Sequence, residues 1–393
     1  MKISRKWSTL FSSVLIAALL PGTFLTAQQP PKAEQFSAQS AQVFAEREKT
    51  APPQIKQRLA ELRTQIAQKK FTFQVGYTAA ADKSLSTLAG SRAPANLPAL
   101  AEKQNVEAAK FLQVDEEAKQ SFLKVHPNGL PEQIIFHQPC AALRAFDWRK
   151  QGKVTPVRDQ DGCGSCWAFG AMGAYEGNYL IRNSVATDTA EQHALNCSGA
   201  GSCGGGWHAG VFDWMISTGN TTETQDPYTA NDKPCKGGVT LPYRAAAWGY
   251  VASNGGTPSV EQMKAALCQH GPLAVAVLAT TLFQHYTGGV FNEMDNTHGI
   301  NHVVTLIGWD DSKGAWLIKN SWGPYWGETG EYGTERGYMW IAYNSNNIGY
   351  GAAWVQAASR FYILPPHFFE LKPNIKPFPE LNLEREKIPV SPK

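Results

Sequence analysis

The order of elements along the 393 residues predicts an α+β protein with two subdomains and a groove between them. Three observations carry this expectation. Helical patterns fill the stretch from 166 to 216, and the first of them is built largely from Ala and Gly. β-rich runs separated by glycines fill the stretch from 273 onward. Side chains that can do chemistry, Cys166 and His302 among them, stand at the head of a helix in one half and of a strand in the other.

Composition is that of an ordinary globular protein, with 43% hydrophobic and 18% charged residues. The length suits two or three units, each able to bury a core. The net charge is +3 and no basic run is interleaved with aromatics, so nucleic-acid binding is set aside. Residues 1–27 have the order of a secretory signal peptide: Lys2, Arg5 and Lys6, an apolar run at 10–20, the breakers Pro21 and Gly22, and Ala27 before the cut. The run is too short to cross a bilayer as a helix. An exported chain, secreted or periplasmic, permits its seven cysteines to form disulfides.

Residues 28–140 read as a separate, looser unit. The stretch 28–60 has few large apolar groups and is interrupted by Pro52 and Pro53. Leu59, Leu62 and Ile66 predict an amphipathic helix over 54–70, the alternation at 71–77 predicts a strand, and 106–125 reads as a second helix ended by Pro127-Asn128-Gly129. This segment is slightly basic and the following one slightly acidic, so acid is expected to loosen the two.

The unit at 141–360 opens on Phe146-Asp147-Trp148-Arg149 and runs extended through 154–158 into a glycine-rich turn after Gln160. A buried helix is expected over 166–181, because Ala168, Gly170, Ala171, Gly173, Ala174 and Gly177 let neighbouring backbone come close. Thr189-x-x-Gln192 and Ser259-x-x-Gln262 read as capping boxes of two short helices, the first ending at Cys197. A third short helix is expected over 207–216. Strands follow at 273–278, 302–307, 315–318 and 338–343. Residues 361–393, with seven prolines, read as an exposed extended tail. The alternative is a tether anchored by Phe361, Tyr362, Phe368 and Phe369.

Cys166 falls in the first turn of its helix, where unpaired N–H groups and the helix dipole stabilise a thiolate and make it a nucleophile. Such a nucleophile needs a base that also carries the proton to the leaving group, and His302 at the head of a strand can supply it. Eighteen residues on, Asn320 can accept from the imidazole N–H and hold the tautomer, while Trp322 shields that bond from water.

Cys163-Gly164-Ser165-Cys166-Trp167, with His302 and Asn320 at 136 and 154 residues beyond Cys166, resembles papain and the cathepsins. Phe146-Asp147-Trp148-Arg149, the Gln160 turn, Tyr286-Thr287-Gly288-Gly289-Val290-Phe291 and Asn320-Ser321-Trp322-Gly323 stand in family order, so the resemblance covers about 143–355. It implies a papain-like fold: a helical part, an antiparallel β-barrel-like part, and the active site in the groove between. It implies Cys166 as nucleophile, His302 as acid and base, Asn320 as orienter and Gln160 as oxyanion donor. Gly205 and Gly206 take the place of the backbone that pairs with substrate. Trp207, His208, Ala276, Ile300 and Tyr350 fall where the family lines its main specificity pocket, implying a hydrophobic preference two residues before the cut. Trp322 joins them at the substrate side. Two disulfides follow by resemblance, Cys163–Cys203 and Cys197–Cys235; Cys140 and Cys268 are left as a third pair or as free thiols. The implied protein is an exported thiol endopeptidase made as a zymogen. It acts on proteins or peptides without cofactor or metal, is a monomer without a transmembrane anchor, and has 28–140 as intramolecular inhibitor, processed within 138–145.

The sequence departs from the family in places. The 28–140 segment lacks the spaced Glu/Arg/Phe/Asn helix signature. Glu328 to Glu335 are extra residues near the site. Ile348 takes a position of the family's third disulfide. No His-containing insertion appears around Asp226-Pro227-Tyr228, which favours an endopeptidase over an exopeptidase. Readings from other classes stay open at this point: a Cys-x-x-Cys redox pair of Cys163 and Cys166, half of a zinc site with Cys197 and Cys203, a papain-like transpeptidase, or a non-catalytic binding protein.

Overall fold

The computed structural model describes residues 33–130, 140–365 and 371. The expected signal peptide, residues 138 and 139 of the processing window, and Phe368 and Phe369 lie outside them. No helix among the described residues is long and apolar enough to cross a membrane.

The helical half is built on α5 (Cys166–Asn183), the fifth helix after α1 (Ala33–Lys49), α2 (Pro53–Lys69), α3 (Leu85–Leu88) and α4 (Leu97–Val125). Around it lie α6 (Glu191–Cys197) and α7 (His208–Ser217), with α8 (Val260–His270) and α9 (Thr281–Gln284) further on. The glycines of α5 explain its place. A Cβ on Gly170 would meet Val303 Cγ1 at 2.5 Å, and one on Gly173 would meet Thr305 Oγ1 at 2.4 Å. Both partners belong to β8 (His302–Asp310), so this stripe lets the helix headed by Cys166 lie flat against the strand headed by His302.

The strands are β1 (Thr72–Val75), β2 (Ala145–Asp147), the two-residue pair β3 (Gly201–Ser202) and β4 (Gly205–Gly206), β5 (Ala245–Tyr250), β6 (Leu273–Val277), β7 (Tyr286–Phe291), β8, β9 (Ala315–Lys319), β10 (Tyr338–Ala342) and β11 (Tyr350–Ala357). One sheet runs β1-β7-β10-β9-β8-β6-β11-β5, with β2 added on β8. It is antiparallel except where β10 meets β7, and it does not close into a barrel.

The 28–140 segment does not stand apart. Its strand β1 pairs with β7 at one end of the sheet, and α4 packs on β5 at the other. Both strand edges that the 141–360 unit would expose are therefore covered by the N-terminal segment. Helix α1, unpredicted, anchors through buried Phe44 against Gly76. Helix α4 starts nine residues earlier than expected, because Leu97 and Ala101 extend the buried stripe of Ala108, Phe111 and Ala118. The Ser259 capping box forms, with Gln262 N donating to Ser259 Oγ at 3.2 Å and Ser259 N to Gln262 Oε1 at 2.9 Å. The Thr189 box does not. Thr189 gives its N–H and hydroxyl to buried Glu176 Oε1 at 2.8 and 2.9 Å, and α6 begins after Ala190 without a side-chain cap.

Candidate active site

Cys166 opens α5 and is fully buried. The preceding turn is held by the Cys163–Cys203 disulfide and by Gly164 N donating to Cys203 O at 3.0 Å. Cys163 is therefore a staple and Cys166 is free, which overturns the redox-pair reading. Cys197 is joined to Cys235 and Cys140 to Cys268. With Cys197 and Cys203 both oxidised, the thiolates of the zinc reading do not exist.

His302 opens β8, and its Nε2 lies 2.7 Å from Asn320 Oδ1. Since a carboxamide oxygen only accepts, Nε2 carries the proton and Nδ1 is left as the base. Nδ1 has no hydrogen-bond partner among the described residues. Trp322 lies over the imidazole with ring centroids 4.7 Å apart, and Phe283 meets both rings edge-on. The His302–Asn320 bond thus sits in an aromatic enclosure that keeps water from competing for it.

Gln160 is fixed through both its backbone and its side chain. Its backbone N donates to Ser321 O at 2.8 Å, and its Oε1 accepts from Ser321 Oγ at 2.7 Å. That second bond aims Nε2 at the site, where it donates to Cys163 O at 2.8 Å and to Leu88 O at 2.9 Å. Ser321 was missed from sequence, although it directly follows Asn320. Tyr228 was missed too: its hydroxyl bonds Gln160 O at 2.8 Å and pairs with Ser165 Oγ at 2.6 Å.

The groove is filled by residues 88–92 of the N-terminal segment. Gly206 N donates to Gly90 O at 2.8 Å, Arg92 N to Gly206 O at 2.9 Å, and Ser91 N to Asn301 O at 2.7 Å. Arg92 Nε also reaches Gly204 O at 2.8 Å. A Cβ on Gly90 would stand 1.8 Å from Gly164 O, so only glycine admits this approach.

This cover sets the electrostatics. Burial pushes the Cys166 thiol up to about 11, opposed weakly by the backbone of Val303 and Gly90. Burial lowers His302 to about 4, opposed by the Asn320 bond. The thiolate expected at the head of α5 is thus suppressed here, because desolvation outweighs the dipole of the helix terminus.

The other site residues are placed unevenly. Gly206 pairs with the segment in the groove, and Gly205 lies beneath Arg92. Trp207 donates from Nε1 to Tyr250 Oη at 2.9 Å and helps line a cavity of about 370 Å³ beside Trp248, Ala200 and Leu100. His208 is fully buried, its Nε2 against Gly351 O at 2.8 Å, and burial lowers it to about 4. Ala276 lies buried in β6 between Val303 and Tyr350, and Ile300 is half-buried.

The family described as papain family cysteine protease matches residues 143–356. Cysteine proteinase 1 of Entamoeba histolytica is 33% identical over 251 residues, covering 61% of this chain and 76% of that protein. Digestive cysteine proteinase 3 of Homarus americanus is 37% identical over 214 residues, covering 51% and 64%. The chain thus spans about three quarters of the first and under two thirds of the second. Among solved structures, digestive procathepsin L 3 of Tenebrio molitor superposes with a TM-score of 0.57 at 23% identity, covering 81% of this chain and 98% of that one. The recombinant stem bromelain precursor gives 0.56 at 24%, covering 83% and 94%. Both show a shared fold that takes in the N-terminal segment.

Proposed function

Because this chain belongs to the papain family of cysteine proteases, we propose that it is an exported cysteine endopeptidase made as a zymogen, with residues 28–140 as its own inhibitor. The observation that carries this reading is the Leu88 carbonyl oxygen resting on Gln160 Nε2 beside Cys166. A peptide carbonyl of the chain itself occupies the place where a substrate carbonyl would gain charge. The three disulfides support export.

Once the groove is clear, His302 Nδ1 takes the Cys166 proton and the thiolate attacks the scissile carbonyl carbon. The oxygen gains charge between Gln160 Nε2 and the Cys166 backbone N–H. His302 then gives its proton to the leaving amine, and water hydrolyses the thioester with His302 again as base. Asn320 holds the ring for both transfers. Gly206 offers the N–H and C=O that pair with an extended substrate, and Trp207 offers an apolar wall.

The test compares the processed enzyme with its Cys166→Ala variant on fluorogenic peptides carrying a hydrophobic residue two before the cut. Turnover lost in the variant, with an unchanged melting curve, is the expected result. Turnover that survives the substitution overturns the reading.

A further inference from the structure

We propose that the face formed by the β5 edge, Arg182, Gln356 and Tyr362 is a second binding surface, fitted to an amphipathic helix carrying one buried acid, and that it holds α4 on the enzyme independently of the groove. The inference rests on the zymogen reading, since it concerns what keeps the N-terminal segment in place after the chain is cut.

Helix α4 follows the groove segment and runs 29 residues along the far end of the sheet. Two of its carboxamides act as a missing strand for β5. Gln104 Nε2 donates to Trp248 O at 2.8 Å. Asn105 Nδ2 donates to Tyr250 O at 3.1 Å, while its Oδ1 accepts from Tyr250 N at 2.8 Å. About three turns beyond Gln104, the helix carries Asp115 inward with 1% exposure. Two elements of the peptidase part and the start of the tail converge on that carboxylate. Arg182 Nη2, from the last turn of α5, reaches Oδ2 at 2.8 Å; Gln356 Nε2, from β11, reaches Oδ2 at 2.5 Å; and Tyr362 Oη reaches Oδ1 at 3.1 Å. Arg182 also donates to Tyr362 Oη at 2.8 Å, and the Tyr362 ring lies 6.2 Å from that of Phe122 on α4.

The donors all come from one side of the future cut and the acid from the other. A buried carboxylate stripped of one charged or hydroxyl donor is costly, whereas a fully paired one is not. The tail begins at this site: Tyr362 and buried Leu364 are docked on it while Ile363 between them is exposed, so the tail contributes to retention. None of these residues touches Gln160, Gly206 or Asn301, which hold the groove segment.

The experiment uses the full chain as Cys166→Ala, with a site for a sequence-specific protease placed between residues 131 and 138. After cutting, release of the N-terminal piece is followed by size-exclusion chromatography and fluorescence. Tyr362→Phe, which keeps the ring and removes one hydroxyl, is expected to speed release about tenfold, and Asp115→Asn at least as much. A change under threefold in Tyr362→Phe overturns the proposal. Independence from the groove is read in the uncut chain with Cys166 present. There Tyr362→Phe is expected to leave alkylation of Cys166 by iodoacetamide within twofold of the parent, and a parallel acceleration overturns the claim of a separate surface. Neither readout needs turnover, so failure of the peptidase reading shows separately, as absent hydrolysis.

Discussion

Leu88 O accepts from Gln160 Nε2 at 2.9 Å while Gly90, two residues on, accepts through its own carbonyl from Gly206 N at 2.8 Å. The Gln160 amide and the Gly206 backbone are thus engaged by one short stretch of the same chain. That pairing gives the proposed inhibition a specific physical form: the site is assembled and desolvated, and its donors are already spoken for.

Gly90 is the residue on which this form depends. A methyl group there would sit 1.8 Å from Gly164 O, which is backbone and cannot step aside. Gly90→Ala is therefore expected to lift the groove segment and expose Cys166. In the uncut chain, alkylation of Cys166 by iodoacetamide should rise at least tenfold over the parent. An unchanged rate shows that another part of the segment covers the thiol.

Gln160→Ala removes one of the two proposed oxyanion donors. Hydrolysis by the processed enzyme is expected to fall by about 100- to 1,000-fold, with KM little changed, because the lost bond belongs to the transition state. Ser321→Ala leaves the amide but frees it to rotate, since Oε1 loses its partner at 2.7 Å. Its loss in kcat is expected to be about tenfold, between the parent and Gln160→Ala. Equal losses in the two variants would show that Ser321 acts in some way other than by aiming Gln160.

Much of this arrangement was legible in the sequence because its determinants are local. The glycine stripe of α5 announces close packing, and His302 and Asn320 stand out through their spacing from Cys166, which resembles that of papain and the cathepsins. What was hidden depends on distant partners. Thr189 has the spacing of a capping box, yet Glu176, thirteen residues away, competes for the same hydroxyl and wins. Strands β5 and β11 carry Ala-rich stretches without alternation, since both faces are buried, and so gave no period-two signal. Residues 88–92, Leu-Ala-Gly-Ser-Arg, carry no periodic signal; their role exists only once Gly164 and Gly206 are beside them. Nor does the sequence show that His208, a residue of the pocket implied by resemblance, lies buried with its ring against Gly351 O.

The first cut is expected before Cys140. Cys140 is buried, bonded to Cys268, and opens a tight turn over Cys140–Ala142, whereas cleavage needs a strand that can leave the surface. Non-reducing gels should then show the N-terminal piece separating from the processed enzyme without reductant, and sequencing should place the new N-terminus at or before Cys140. A piece that separates only after reduction places the cut beyond Cys140.

Acid should open the groove, and the group responsible is His302 rather than the slight charge difference between the two segments. Burial holds the imidazole near 4 against an ordinary 6.5, so the covered form disfavours the imidazolium. Covering is accordingly unpenalised above about 6.5, becomes costlier as the pH falls below it, and the cost levels off near 4. Cys166 has the opposite sign: its raised value of about 11 penalises the covered form only above about 9. Between these limits the cover is at its most stable. In the uncut Cys166→Ala chain, binding of a fluorescent active-site peptide is expected to grow as the pH drops from 6.5 to 4, and His302→Gln should abolish that rise. A rise that persists in His302→Gln assigns the acid sensitivity to other groups, with the wider charge balance of the two segments as the remaining source.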